Sequence, residues 1–289
     1  MDWVNAILQG VMLGGFYALF ATGLSLVFGV MKLVNLAHGD LSVLAAFIAV
    51  AILDVLPINP LLAMALVVPI MFVIGWLLQR YILDHSLGPD PMPALLVTFG
   101  LSVIIQNLLL EVFSADSQGL DAGRLEDEAL SLGGGLTVGW FPLLTFVLAV
   151  LVLVGLQLFL SRTRTGRAFR ATSDNQRVAR LMGIDNRRIY ALSMAIALGV
   201  VAVAGVFMGI RTTFAPGIGP ARLIFAYEAV IMGGLGSVWG TLVGGIVLGV
   251  AQVIGAQIEP GWHALAGHVV FLAVLAFKPS GLLSRRGAV

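Results

Sequence analysis

Apolar residues run through this chain in long unbroken blocks, separated by short polar or glycine-rich breaks. About 20 apolar residues carry a helix across the hydrocarbon core of a bilayer. The blocks predict spans over Val4–Val30, Leu41–Leu56, Pro60–Leu83, Met92–Phe113, Trp140–Leu160, Tyr190–Ile210, Leu223–Met232, Trp239–Ile258 and Ala264–Phe277. Leu223–Met232 is short for a crossing, so eight or nine transmembrane helices are expected. That run is either a half-helix or joined to the next span through Gly233-Gly234-Leu235-Gly236-Ser237. A transmembrane β-barrel would alternate polarity in segments of about ten residues, and these blocks do not. The opening MDWVNAILQG lacks the basic region of a cleaved signal peptide, so the first block is expected to be a retained helix. The expected fold class is an all-α polytopic membrane protein, a single transmembrane domain over residues 1–289.

Composition agrees with that class. The chain is 59% hydrophobic and 11% charged with a mean hydropathy of +1.02, whereas a soluble domain carries about a quarter charged residues. It holds no cysteine, which removes disulfides and thiolate metal sites.

The net charge of +1 hides a strong asymmetry. Between Ser161 and Ile189 stand Arg162, Arg164, Arg167, Arg170, Arg177, Arg180, Arg187 and Arg188 against only Asp174 and Asp185, half of the 16 lysines and arginines. Basic loops stay on the cytoplasmic side, which places loop 161–189 inside, together with Lys278, Arg285 and Arg286 of the tail. The loop 114–139 is the opposite kind, with Asp116, Asp121, Glu126, Asp127 and Glu128 against Arg124, and is expected outside. Counting back puts the N-terminus outside as well. Trp3, Trp76, Tyr81, Trp140, Tyr190 and Trp262 fall near span ends, as an interfacial aromatic belt requires.

Small residues recur at a spacing of four: Gly10/Gly14, Gly205/Gly209, Gly236/Gly240/Gly244 and Gly245/Gly249. That spacing lets two helix backbones approach closely in lipid, and packing inside the subunit is the expected use. Within the arginine loop, Gln176–Met182 reads as a short amphipathic helix, because Val178, Leu181 and Met182 share one face. Gly183 can close it before the polar turn Asp185-Asn186. Ala179 and Gly183 add small residues four apart, a surface suited to insertion into a groove on a soluble partner; arginines that merely set topology and touch lipid headgroups are the alternative.

These segments resemble a known family. RAFRATSDNQRVARLMGIDNRRIYALSMAIALGVVAVAGV is similar to the cytoplasmic coupling region of ABC-importer permeases of the branched-chain amino acid (LivH/LivM) type. GLSLVFGVMKLVNLAHGDLSVLAAF, TFGLSVIIQN, GGLGSVWGTLVGGIVLG and the ending KPSGLL match in the family's order, from about Gly10 to Leu283, on the LivH side of the pair. The resemblance implies an inner-membrane permease with no cofactor of its own. Its implied partners are a second, LivM-like permease, two cytoplasmic ABC ATPase subunits that bind the ATP, a periplasmic solute-binding protein and the lipid bilayer, with no nucleic acid. Arg177, Val178, Ala179, Leu181, Met182, Gly183 and Ile184 would then couple to the ATPase. The chain has no G-x-x-x-x-G-K-[ST] phosphate loop, which fits ATP hydrolysis on a separate chain.

Interrupted hydrophobic segments point to a transport path, and irregular backbone at membrane depth is tolerated only where it is buried or lines a cavity. The breaks are Lys32–Asp40 and Gly233–Ser237. Asn35, His38 and Asp40 are expected near the cytoplasmic mouth of the path, with an interfacial turn capped by His38 and Asp40 as the alternative. Gly233, Gly234 and Gly236 mark the second break. Thr98, Ser102 and Gln106 run i, i+4, i+8 down one face of the fourth span, facing either a cavity or another helix. Glu228 stands in the apolar run FAYEAVIM, and an intramembrane carboxylate is costly enough to suggest function. It contacts a cationic or hydroxylated solute, a partner subunit, or Arg211 or Arg222. Family members often carry a basic residue nearby where this chain has Phe225, which leaves branched-chain amino acids, urea, short amides and aromatic carboxylates all open as solutes.

Two other classes make different demands on these residues. An ion-driven secondary transporter would use Glu228 or Asp40 as its ion site and show a clearer internal repeat. An intramembrane enzyme would need clustered catalytic groups; His38, His85, His263 and His268 do not assemble one, His263 and His268 lying about 140° apart around a helix. No metal site is expected, since His38 and Asp40 have no further ligands at useful spacing.

Overall fold

The computed structural model describes residues 2–88, 90–123, 125, 128–133 and 136–283. Arg124, Glu126 and Asp127 of the acidic loop and Arg285 and Arg286 of the tail lie outside the described residues.

The helices follow the apolar blocks closely. They are α1 (Asp2–Met31), α2 (His38–Val55), α3 (Pro60–Leu77), α4 (Met92–Phe113), α5 (Trp140–Arg162), α6 (Arg164–Asp174), α7 (Gln176–Leu181), α8 (Asn186–Arg211), α9 (Gly219–Gly233), α10 (Val238–Ile258) and α11 (His263–Phe277). Among the described residues, eight helices are long and apolar enough to cross a membrane; α9 is not among them. At about 1.5 Å per residue, the 15 residues of α9 reach roughly 22 Å, short of the ~30 Å hydrocarbon core. Asn59 starts α3 by accepting from the Leu61 amide at 2.9 Å, with Pro60 in the first helical position. The helix then loosens into a π-turn over Leu78–Ile82. Inside the acidic loop the chain forms an antiparallel hairpin, β1 (Ala129–Gly133) and β2 (Leu136–Gly139), with Ala129 opposite Gly139 and a bulge between Ser131 and Gly133. The helix α6 and this hairpin are elements that the apolar pattern does not announce, because neither needs a span-length apolar run.

The residues divide into two compact units. One comprises residues 1–25, 122–154 and 225–289; the other comprises 26–121 and 155–224. In the first, glycines set the helix spacing. A Cβ at Gly10 would lie 2.6 Å from the Val250 Cα, and one at Gly245 would lie 2.6 Å from the Gly14 carbonyl oxygen, so α1 and α10 touch backbone to backbone. Gly240 and Gly244 bring α10 equally close to Gly233 and Ala229 of α9.

In the second unit, α3 runs along α8, where Gly75 meets the Met194 carbonyl, and α2 crosses α8 where Gly205 meets Ser42. Phe47 of α2 anchors an aromatic knot with Phe113 at 4.7 Å and Phe214 at 5.0 Å. The four-apart glycines named above therefore pack within the subunit, apart from Gly236, which serves a turn at φ 77°. Most end-of-span aromatics are exposed, from Trp76 at 38% to Tyr81 at 66%, whereas Tyr190 is buried at 4% and so is no part of a surface belt.

Candidate functional site

The second unit holds the polar residues around the first break. Ser102 donates to Asp40 Oδ2 at 2.5 Å, and Gln106 Nε2 donates to Ser102 Oγ at 3.1 Å. Thr98, also buried, turns its hydroxyl to the Leu95 carbonyl at 3.1 Å. Of the polar stripe of α4, Ser102 makes the bond to another helix, and Thr98 and Gln106 bond within α4. Ser102 is the eleventh of the 22 residues of α4. The first turn of α2 is therefore tied to the middle of α4 through Asp40.

Nor do His38 and Asp40 cap α2. Its N-cap is Ala37, without a side-chain bond; instead Asn35 Oδ1 accepts the Ala37 amide at 3.1 Å. Asn35, His38 and Asp40 are all buried, at 1% exposure or less. Gly39 packs on Gly219, and a Cβ on Gly219 would overlap the Asp40 carboxylate. The carboxylate thereby reaches the start of α9, where the unpaired amides of a first helical turn favour negative charge. Two helices begin here, α2 and α9. The segment before α9, held by the bridge between Gln118 and Phe214, is a break that the apolar pattern passes over as an ordinary loop.

The first unit holds Glu228, 4% exposed. Its partner within this unit is His268 of α11, whose Nδ1 bonds Glu228 Oε1. His268 stacks flat on Phe225 at 5.8 Å, and Phe225 lies 5.6 Å from Tyr17. Sequence reasoning treated the histidines as a failed catalytic set and so missed His268. The signal was there: a histidine within the apolar run of α11 needs a polar partner, as Glu228 does. The glycines of the second break form a receptor for the tail. Gly234 and Gly236 have φ of 107° and 77°, Ser237 caps α10 through the Gly240 amide at 3.1 Å, and Leu282 and Leu283 donate to the Met232 and Gly233 carbonyls at 2.7 and 3.0 Å.

The arginine loop is ordered by capping. Thr163 starts α6, accepting from the Gly166 amide at 2.9 Å. Asn175 starts α7, accepting from Arg177 and Val178 at 3.0 and 3.1 Å. Gly183, at φ 80°, ends α7: its amide donates to Arg180 and that of Ile184 to Ala179, both at 3.0 Å, the paired bonds of a Schellman close. Asp185 then caps α8 through Arg187 and Arg188.

The loop is also tied to its unit, by Ser173 donating to the Gly29 carbonyl near the end of α1 and by Arg187 paired with Asp84 at 3.2 Å. Val178, Leu181 and Met182 stand out at 51%, 80% and 78% exposure, whereas Ala179 is turned inward at 2%. The outward apolar face is therefore Val178, Leu181 and Met182, and the small-residue pair belongs to the helix's inner side and its cap.

Residues 6–277 match the family model described as branched-chain amino acid transport system / permease component. This chain belongs to that family. It is the membrane-embedded permease subunit of an ABC importer, a multi-pass inner-membrane protein, and not an ion-coupled carrier. Similar to it are the high-affinity branched-chain amino acid transport system permease protein BraD of Pseudomonas aeruginosa, 31% identical over 98% of this chain and 96% of that one, and the LivH protein of Salmonella typhimurium, 28% identical over the same shares. The autoinducer 2 import system permease protein LsrC of Salmonella paratyphi B is 27% identical over 64% of this chain and 55% of its own length.

Proposed function

We propose that this permease carries branched-chain amino acids, as the names of BraD and LivH state for those relatives, and forms half of the path with a second, LivM-like permease. Two ATPase subunits bind and hydrolyse the ATP, and a solute-binding protein delivers the solute from outside. The chain itself performs no covalent chemistry and holds no cofactor or metal.

The observation that carries this reading is the doubly capped α7 with Leu181 and Met182 largely bare. An apolar face ringed by Arg177 and Arg180 is costly in water and fits a groove on a soluble partner. Ser173 and Arg187 would transmit a push on α7 to α1 and to the turn at Asp84 that follows α3. Asn35, His38, Asp40, Thr98, Ser102, Gln106, Glu228 and the glycines of the second break are the groups we assign to the path.

The test is gentle affinity purification of the tagged chain, identification of co-purifying polypeptides by mass, and leucine uptake by the reconstituted complex. A second permease with Walker-type ATPases, and ATP-dependent leucine uptake, is the expected result. Recovery of this chain alone, active without ATP, would overturn the reading.

A further inference from the structure

Four side chains of the first unit and the Gly267 backbone close a ring, with Glu228 attached through His268. The Tyr17 hydroxyl donates to Gln252 Oε1 at 2.5 Å; Tyr17 lies 5.6 Å from Phe225; Phe225 stacks on His268 at 5.8 Å with parallel planes; and His268 bonds Glu228. Gly267, next to His268, completes it, since a Cβ there would stand 2.9 Å from Gln252 Nε2. Two polar atoms of the ring have no hydrogen-bond partner among the described residues, Glu228 Oε2 and Gln252 Nε2. Both side chains are buried, Gln252 completely. One atom is an acceptor and the other a donor. An unpaired buried polar group is costly, and here an acceptor and a donor stand in the same cluster.

We propose that this ring is a solute-reading station. It takes a head group that offers an N–H donor to Glu228 and an acceptor oxygen to Gln252, with Tyr17 and Phe225 against the solute's apolar part. A zwitterionic α-amino acid has that pair, and so does a primary amide or urea. A bare carboxylate does not, and the Glu228 carboxylate repels it. Of the solutes left open by the sequence, the ring admits amino acids and amides and excludes aromatic carboxylates. The proposal rests on the permease reading and narrows it to a class.

The experiment uses the whole transporter in proteoliposomes, with labelled L-leucine, urea, acetamide and benzoate as probes. Glu228→Gln and Gln252→Glu keep size and shape while exchanging the acceptor or the donor. Complex recovery by size exclusion reports assembly, and Leu272→Ala, on an exposed position of α11, is the control. The expected result is uptake of at least one of the three N–H-bearing probes and not of benzoate. Either variant then raises KM for that probe tenfold or more, with a smaller change in maximal rate. Leucine uptake with KM unchanged in both variants overturns the station and leaves the amino-acid reading standing. Uptake of urea or acetamide without leucine, with the KM shift, overturns the amino-acid reading and leaves the station. Efficient benzoate uptake, or uptake of none of the four, overturns the station.

Discussion

Asp40 illustrates how single side chains set the geometry of a membrane interior. Its carboxylate is fully buried, bonded by Ser102 and packed on a residue that must be glycine, Gly219. Removing the hydroxyl in Ser102→Ala leaves the carboxylate short of a donor, a loss of about 1–3 kcal/mol for a buried polar group. Thermal unfolding of the purified variant should show it as a lower Tm; an unchanged Tm would mean the bond contributes nothing. Gly39→Val drives a side chain into the Gly219 carbonyl. Overpacking of that kind costs about 1–3 kcal/mol, and the expected outcome is a sharp fall in the amount of folded protein recovered from membranes. Gly88 has open space where a Cβ would go, so Gly88→Ala should be recovered normally and serves as the matched comparison.

At the scale of elements, α7 is too short to be stable alone, since isolated helices below about 12 residues are marginal in water. Its caps hold it instead. Gly183 sits at φ 80°, where an L-residue is strained, and has open space around it. A side chain there therefore costs backbone strain, of order 1 kcal/mol, without a clash inside the subunit. Gly183→Asp also places a negative charge beside the coupling face. Membrane insertion should be normal while ATP hydrolysis loses its coupling to uptake, read as the ratio of ATP hydrolysed to solute moved. Unchanged coupling would remove α7 from the role assigned to it. Leu181→Asp should act on the same face without strain, and its signature is weaker recovery of the ATPase subunits in co-purification.

The whole molecule is organised by charge and by the lengths of its helices. The arginine loop and the acidic loop flank the same span, α5, and a reporter fused within 163–175 should read out as cytoplasmic while one within 116–122 reads out as external. Reversed reporters would invert the topology drawn from the arginines. How the chain is cut into spans, on which side its basic loop lies, and where a short amphipathic helix starts and stops are properties of neighbouring residues. Apolar run length, loop charge and capping residues such as Asn175 and Gly183 act locally, and they are legible in the order of the amino acids.

What the chain's order does not carry is which helix passes beside which. In lipid every outward face is apolar, so periodicity no longer distinguishes a buried face from an exposed one, and a polar side chain reveals only that it needs a partner. Glu228 finds His268 forty residues on. Asp40 finds Ser102 at the centre of α4, and Tyr17 finds Gln252 across the unit. Those pairings follow from close backbone approaches at glycines such as Gly10 and Gly245, which packing in three dimensions alone decides.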